Sequence, residues 1–127
     1  MSSPVLDASA ILALVNDEPG AEEVQKILPN AAVSAVNFSE VFGKLSEIGM
    51  PEEDIAGALD GLGLIVHDFG RADARVAGLL RPVTKKLGLS LGDRACLALA
   101  IRLGVPALTT EKTWRSLNLE VKIQVVR

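Results

Sequence analysis

The chain has 127 residues, a formal net charge of −3, 49% apolar and 23% charged residues, which fits one folded domain over residues 1–127 and excludes a disordered tail. No apolar stretch is long enough to span a bilayer, and Met1-Ser2-Ser3-Pro4 has neither the basic nor the apolar region of a secretory signal. The lone Cys96 excludes an internal disulfide, so a reducing cytoplasm is the expected compartment, and one Trp, three Phe and no Tyr argue against a base-stacking platform.

Apolar runs alternate with helical patterns along the whole chain. Pro4-Val5-Leu6 reads as a short buried strand, followed by a helix from about Ser9 to Val15. Pro19 suits the first turn of a second helix, which carries Val24, Ile27 and Leu28 on one face and ends before Pro29. Ala31-Ala32-Val33-Ser34 is a second strand. Phe38, Val41, Phe42, Leu45 and Ile48 stand at helical spacing, and Gly49 stops that helix. Pro51 opens a helix through Ile55 and Leu59, and Leu64-Ile65-Val66 is a third strand. A helix from about Arg71 to Leu80 bends or breaks at Pro82. Ser90 caps a nearly all-apolar helix from Leu91 to Leu103, closed by Gly104. Pro106-Ala107-Leu108-Thr109 is a fourth strand, and Val121, Ile123 and Val125 alternate with polar residues in a fifth, at an edge. This order predicts an α/β fold, a three-layer αβα sandwich around a short-stranded, mainly parallel sheet.

Four acids stand out against this frame: Asp7, Glu40, Asp93 and Glu111. Three follow short apolar runs, and Glu40 lies about one turn into a helix. Ligands of open parallel α/β sheets bind outside the carboxyl ends of the strands. Carboxylates gathered there repel one another unless a cation is shared among them, and hard, oxygen-liganded Mg²⁺ or Mn²⁺ suits such donors. The pattern therefore predicts a metal-dependent site for phosphodiester cleavage, with Asp7 and Asp93 as direct ligands. Glu40 and Glu111 are expected to orient water or a second metal, while Ser9, Thr109 and Thr110 hydrogen-bond the carboxylates or a phosphate.

Each acid also has a purely structural reading, because helix N-termini attract carboxylates. Asp7 fits an N-cap. Glu40 fits a capping box with Asn37 or a pair with Lys44. Asp93 fits a capping box with Ser90, and Glu111 fits the first turn of a short helix capped by Thr110. Taken together the acids favour a shared cation, since Asp7 follows a buried strand with no cationic residue nearby in sequence. Arg81, Lys85, Lys86 and Arg94, Arg102, Lys112, Arg115 concentrate positive charge locally, and most read as solvated helix faces. His67 reads as a satisfied surface or core histidine, and Cys96 and Trp114 as packing residues. Ser9 has no histidine placed to make it a nucleophile. The early apolar residues Leu12, Leu14, Val24, Ile27, Val41 and Leu45 read mostly as core, with some free to line a groove for an amphipathic segment.

Four segments resemble the motifs of the PIN-domain family, and of its VapC toxins in particular: Val5-Leu6-Asp7-Ala8-Ser9-Ala10, Ser34-Ala35-Val36-Asn37-Phe38-Ser39-Glu40-Val41, Gly88-Leu89-Ser90-Leu91-Gly92-Asp93-Arg94-Ala95-Cys96-Leu97-Ala98-Leu99-Ala100, and Leu108-Thr109-Thr110-Glu111-Lys112-Thr113-Trp114. The last motif usually carries Asp where this chain has Glu111, whose longer side chain can still reach a metal directly or through water. The resemblance implies a Mg²⁺-dependent endoribonuclease, a cognate VapB-type antitoxin that inhibits it, and a homodimer. Two readings compete with it. One is a non-catalytic PIN-like module that binds RNA or protein and keeps a residual acid cluster. The other is an aspartyl-phosphate phosphatase built on Asp7, against which Ser9 stands where such folds usually carry a second Asp.

Overall fold

The computed structural model describes residues 3–127. Its sheet has strands β1 (Val5–Leu6), β2 (Ala32–Ser34), β3 (Ile65–His67), β4 (Ala107–Thr109) and β5 (Ile123–Val125) in the order β3-β2-β1-β4-β5, with every neighbouring pair parallel. Helices α1 (Ala8–Val15), α2 (Ala21–Ile27), α3 (Ala35–Glu47), α4 (Glu52–Asp60), α5 (Arg71–Leu79), α6 (Arg81–Thr84) and α7 (Leu91–Leu103) make the crossovers, with two 3₁₀ turns, η1 (Lys85–Leu87) and η2 (Lys112–Ser116). The parallel α/β prediction holds in this arrangement.

The two faces of the sheet can be read from the period-2 alternation of its strands. Val5, with its register partners Ala32 and Ala107, packs into a core with Cys96, Leu97, Leu99 and Ala100 of α7, together with Trp114. Leu6, Val33 and Leu108 point the other way, into a core with Ile11, Val24, Val41, Leu45, Ile55 and Leu59 of α1 to α4. β1 is buried on both faces, so it reads as a bare apolar run with no polar alternation. α7 lies against the middle of the sheet, with Gly92 and every residue from Arg94 to Ala100 buried. Burying each large side chain of this kind contributes roughly 1.5–3 kcal/mol. Gly104 closes α7 in the left-handed region at φ 67°, where a residue without Cβ carries no strain.

Several boundaries differ from the sequence pattern. Pro19 lies outside α2, which begins at Ala21 after Gly20. Gly20 has φ 102°, and its α-carbon is pressed so close to the Val126 carbonyl that no side chain fits. α3 starts at Ala35, directly out of β2, because the Ser34 hydroxyl accepts from the Val36 N–H at 3.2 Å and supplies the cap. Asn37 is thus inside the helix and not its cap. The Arg71–Leu80 helix breaks as predicted, but one residue early. α5 ends at Leu79 and Pro82 sits in the first turn of α6, where its missing N–H costs nothing. β3 is an edge strand as well as β5, and Ile65 and Val66 are nearly half exposed.

Two of the cations read as solvated are anchored instead. Arg94 is buried, with Nη1 donating to the Ala77 carbonyl at 2.9 Å. Arg102 grips the buried Asp73 with two hydrogen bonds, of 2.7 and 3.1 Å. Both contacts tie α7 to α5. Trp114 and Cys96 are buried, as their packing readings require.

Candidate active site

Asp7 follows β1 directly and caps α1, its carboxylate turned to the N–H groups that open the helix. Oδ1 accepts from the Ala10 N–H at 2.9 Å and from the Ser9 hydroxyl at 2.7 Å, and Oδ2 accepts from the Thr109 hydroxyl at 2.5 Å. The two hydroxyls are themselves held by backbone. Ser9 Oγ accepts from the Thr110 N–H at 3.1 Å, and Thr109 Oγ1 accepts from the Glu111 N–H at 3.0 Å. This network joins the start of α1 to the end of β4 and fixes the Asp7 carboxylate in a site where it is only 3% exposed. Burial pushes the Asp7 carboxyl up to about 6, with the charge of Asp93 adding to the shift and the three hydrogen bonds opposing it.

Glu40 lies in the second turn of α3. Asn37, three residues earlier on the same helix, donates from Nδ2 to Glu40 Oε1 and to the Gly92 carbonyl, both at 2.9 Å. Both acceptors are unambiguous, so the amide orientation is fixed and Asn37 Oδ1 is left buried without a partner. The Glu40 carboxylate rests against the Gly92 α-carbon so closely that a Cβ there would overlap it. Burial raises the Glu40 carboxyl and the charge of Asp93 raises it further, while the Asn37 hydrogen bond and Lys44 act the other way.

Asp93 stands at the third position of α7. Its Oδ2 accepts from the Ser90 N–H at 2.9 Å while Ser90 Oγ accepts from the Asp93 N–H at 3.1 Å, a complete capping box. Its structural reading is therefore correct, and its charge still reaches both Asp7 and Glu40. Glu111 is exposed two residues past β4, ahead of η2, and makes no side-chain cap bond. The sequence places three acids after strands, whereas only Asp7 and Glu111 follow one. Asp93 and Glu40 reach the same edge from helices.

The acids converge without closing a cage: among the described residues no three carboxylates are gathered tightly enough to make a ready-made metal site. Mg²⁺ does not need one, because it keeps most of its waters and takes one or two carboxylates. The donor set is hard oxygen throughout. Asp7 is buried and faced by Asp93, and among the described residues no cation pairs with it. That uncompensated charge fits a divalent cation. Cys96 is no alternative nucleophile, since full burial pushes its thiol well above the usual range.

A short-stranded parallel sheet with acids brought from β1, α3 and α7 to its carboxyl edge defines the class of protein. Residues 5–118 match the PIN domain model, and the chain belongs to the PIN-domain family. It is 33% identical over 114 residues to ribonuclease VapC42 of Mycobacterium tuberculosis, a match covering 82% of this chain and 87% of that protein. Its fold is also that of a toxin–antitoxin complex chain from Klebsiella pneumoniae, with a TM-score of 0.77 at 18% identity and 98% of each chain covered. The same holds for VapC20 of Mycobacterium tuberculosis, a toxin that cleaves the sarcin–ricin loop, with a TM-score of 0.72 at 15% identity, covering 94% of this chain and 99% of that one.

Sequence reasoning missed two contributors to this edge. Asn37 reads as a cap, although its i,i+3 spacing to Glu40 signals that it holds that carboxylate. Gly92 has no signal in sequence beyond its place between Ser90 and Asp93, because its role is to leave room for a side chain from another helix.

Proposed function

We propose that the protein is a Mg²⁺-dependent endoribonuclease, with Mn²⁺ as a substitute, acting in the cytoplasm as the toxin of a toxin–antitoxin pair. The observation that carries this reading is the buried Asp7 carboxylate, fixed by three hydrogen bonds and facing the charge of Asp93 at the carboxyl edge of a PIN-domain sheet. The curated relative at 33% identity is a ribonuclease, which supports RNA as the substrate.

Asp7 and Asp93 would hold the cation. Bound there, it would lower the pKa of water and neutralise charge on the phosphoryl oxygens. The chain's own residues do the positioning. Ser9 and Thr109 spend their protons on Asp7 and keep it from turning away. Asn37 occupies Glu40 Oε1 and leaves Oε2 to orient the attacking water and accept its proton. Glu111, exposed beside Thr110, can approach the substrate side of the site. Water adds to phosphorus, a bridging P–O bond breaks, and the departing alcohol oxygen takes a proton from solvent.

The anionic edge also suits a guanidinium, which can make paired hydrogen bonds to carboxylates and compete with a cation. A small VapB-like antitoxin placing an Arg there would silence the enzyme, and the VapC toxins it resembles imply a homodimer. RNA cleavage that requires Mg²⁺ tests the catalytic reading. Co-expression with the neighbouring gene tests the partner: co-purification with loss of cleavage is expected, and a neighbour that neither binds nor inhibits contradicts it.

A further inference from the structure

Beside Asp7 the surface opens into a cavity of about 310 Å³ between α1 and α3. One wall is shared with the acid edge through Ser9, Thr110 and Glu111, and Ser9 touches Asp7 itself. Its apolar lining is Leu12, Leu45 and Ile48, and Ile48 is 72% exposed at the end of α3. Lys44 also lines it, one helical turn beyond Glu40.

The charges of this cavity are unequally engaged. Arg127 also lines it but is tied down, with Nη2 at 3.3 Å from Glu18 Oε1 and Nε at 3.2 Å from the Pro19 carbonyl. Glu18 and Glu111 bring carboxylates to the same lining, and Arg127 holds Glu18. Lys44 is exposed and, among the described residues, makes no ion pair within 4 Å, although its charge acts on Glu40 one turn earlier. An exposed ammonium in a cavity that also has apolar lining suits an anion with an apolar body. The volume lies at the lower end of the range of small-ligand pockets, about 300–1,000 Å³, which suits a single nucleotide and excludes a duplex. Phosphate contacts to Lys position a nucleic acid without reading its sequence.

We propose that this cavity seats the nucleotide adjoining the scissile linkage, its phosphate on Lys44 and its sugar or base against Leu12 and Ile48. The assignment rests on the ribonuclease reading and deepens it by fixing the side on which the strand runs past Asp7.

The test is a methyl NMR titration of the full chain with AMP, GMP, CMP and UMP in turn, run in EDTA, with adenosine and inorganic phosphate as separate controls. Saturable shifts of the Leu12 and Ile48 methyls are expected with a nucleotide and not with phosphate alone. Lys44→Gln should weaken that binding at least fivefold, and Lys44→Arg should restore it to within twofold. In steady-state RNA cleavage, Lys44→Gln should raise KM at least fivefold, by more than kcat falls. The titration needs no turnover, so Lys44-dependent binding upholds the seat even in a preparation that cuts nothing. Normal RNA cleavage with silent methyls, or equal binding by Lys44→Gln, overturns the seat and leaves the ribonuclease reading standing. Methyls that respond to the partner protein and to no nucleotide also overturn it.

Discussion

At the scale of single residues, Gly92 is the position where stability and activity separate. It lies in the first turn of α7, where Ala is the better helix former by up to about 1 kcal/mol. The atoms nearest to a Cβ there belong to the flexible end of Glu40, which can swing aside. Gly92→Ala should therefore melt at or above the wild-type temperature while RNA cleavage falls at least tenfold, because Glu40 is displaced from Asn37. Unchanged cleavage would show that the Glu40 position does not matter. Asp7 offers a second separation. Its carboxyl is raised from 3.8 to about 6 in the folded, metal-free chain. At pH 5 the folded form keeps a proton that the unfolded form has released, so this group favours folding there, and the advantage fades as pH rises through 6. In EDTA the wild type should gain about 1 kcal/mol relative to Asp7→Asn on going from pH 7 to pH 5. Denaturant melts at the two pH values check this, and parallel behaviour of the two proteins would contradict it.

Elements were legible in sequence wherever their ends carry local chemistry. Ser90 and Gly104 bound α7 because a hydroxyl cap and a left-handed glycine act within a few residues. The start of α3 was not legible, since β2 passes into it without a loop and Ser34 serves both. The burial of Arg94 was not legible either, because the acceptor it finds is the Ala77 carbonyl on α5. In the site, Asp7 and the hydroxyls of Ser9 and Thr109 could be named from sequence, but not that Thr109, 102 residues away, meets Asp7 in particular. The clamp between α5 and α7 belongs to the same group of long-range contacts. Asp73 is buried while Arg102 is partly in solvent, so Arg102→Ala leaves a carboxylate without its partner. Breaking a buried pair costs about 3–5 kcal/mol, and the exposure of Arg102 reduces this to roughly 1–2 kcal/mol. Chemical denaturation should show that loss with RNA cleavage per folded molecule unchanged. A loss of cleavage at full stability would mean that α5 communicates with the site.

For the molecule as a whole, the net charge of −3 is unevenly spread. Glu52, Glu53 and Asp54 open α4, while Arg71, Arg75, Arg81, Lys85 and Lys86 follow one another along α5, α6 and η1. An overall acidic chain is thus compatible with a polyanionic substrate, which responds to the local field near the site more than to the sum. The candidate site chemistry gathers at one edge of the sheet because every strand ends there and the helices that carry Glu40 and Asp93 begin there. The most direct measurement of the central claim is cleavage of a labelled RNA by the purified chain in Mg²⁺ and in EDTA, with Asp7→Asn alongside. Cleavage in Mg²⁺ that EDTA abolishes, and that falls at least a hundredfold in a folded Asp7→Asn, is the predicted result. Equal cleavage in EDTA, or near-normal cleavage by Asp7→Asn, would contradict it.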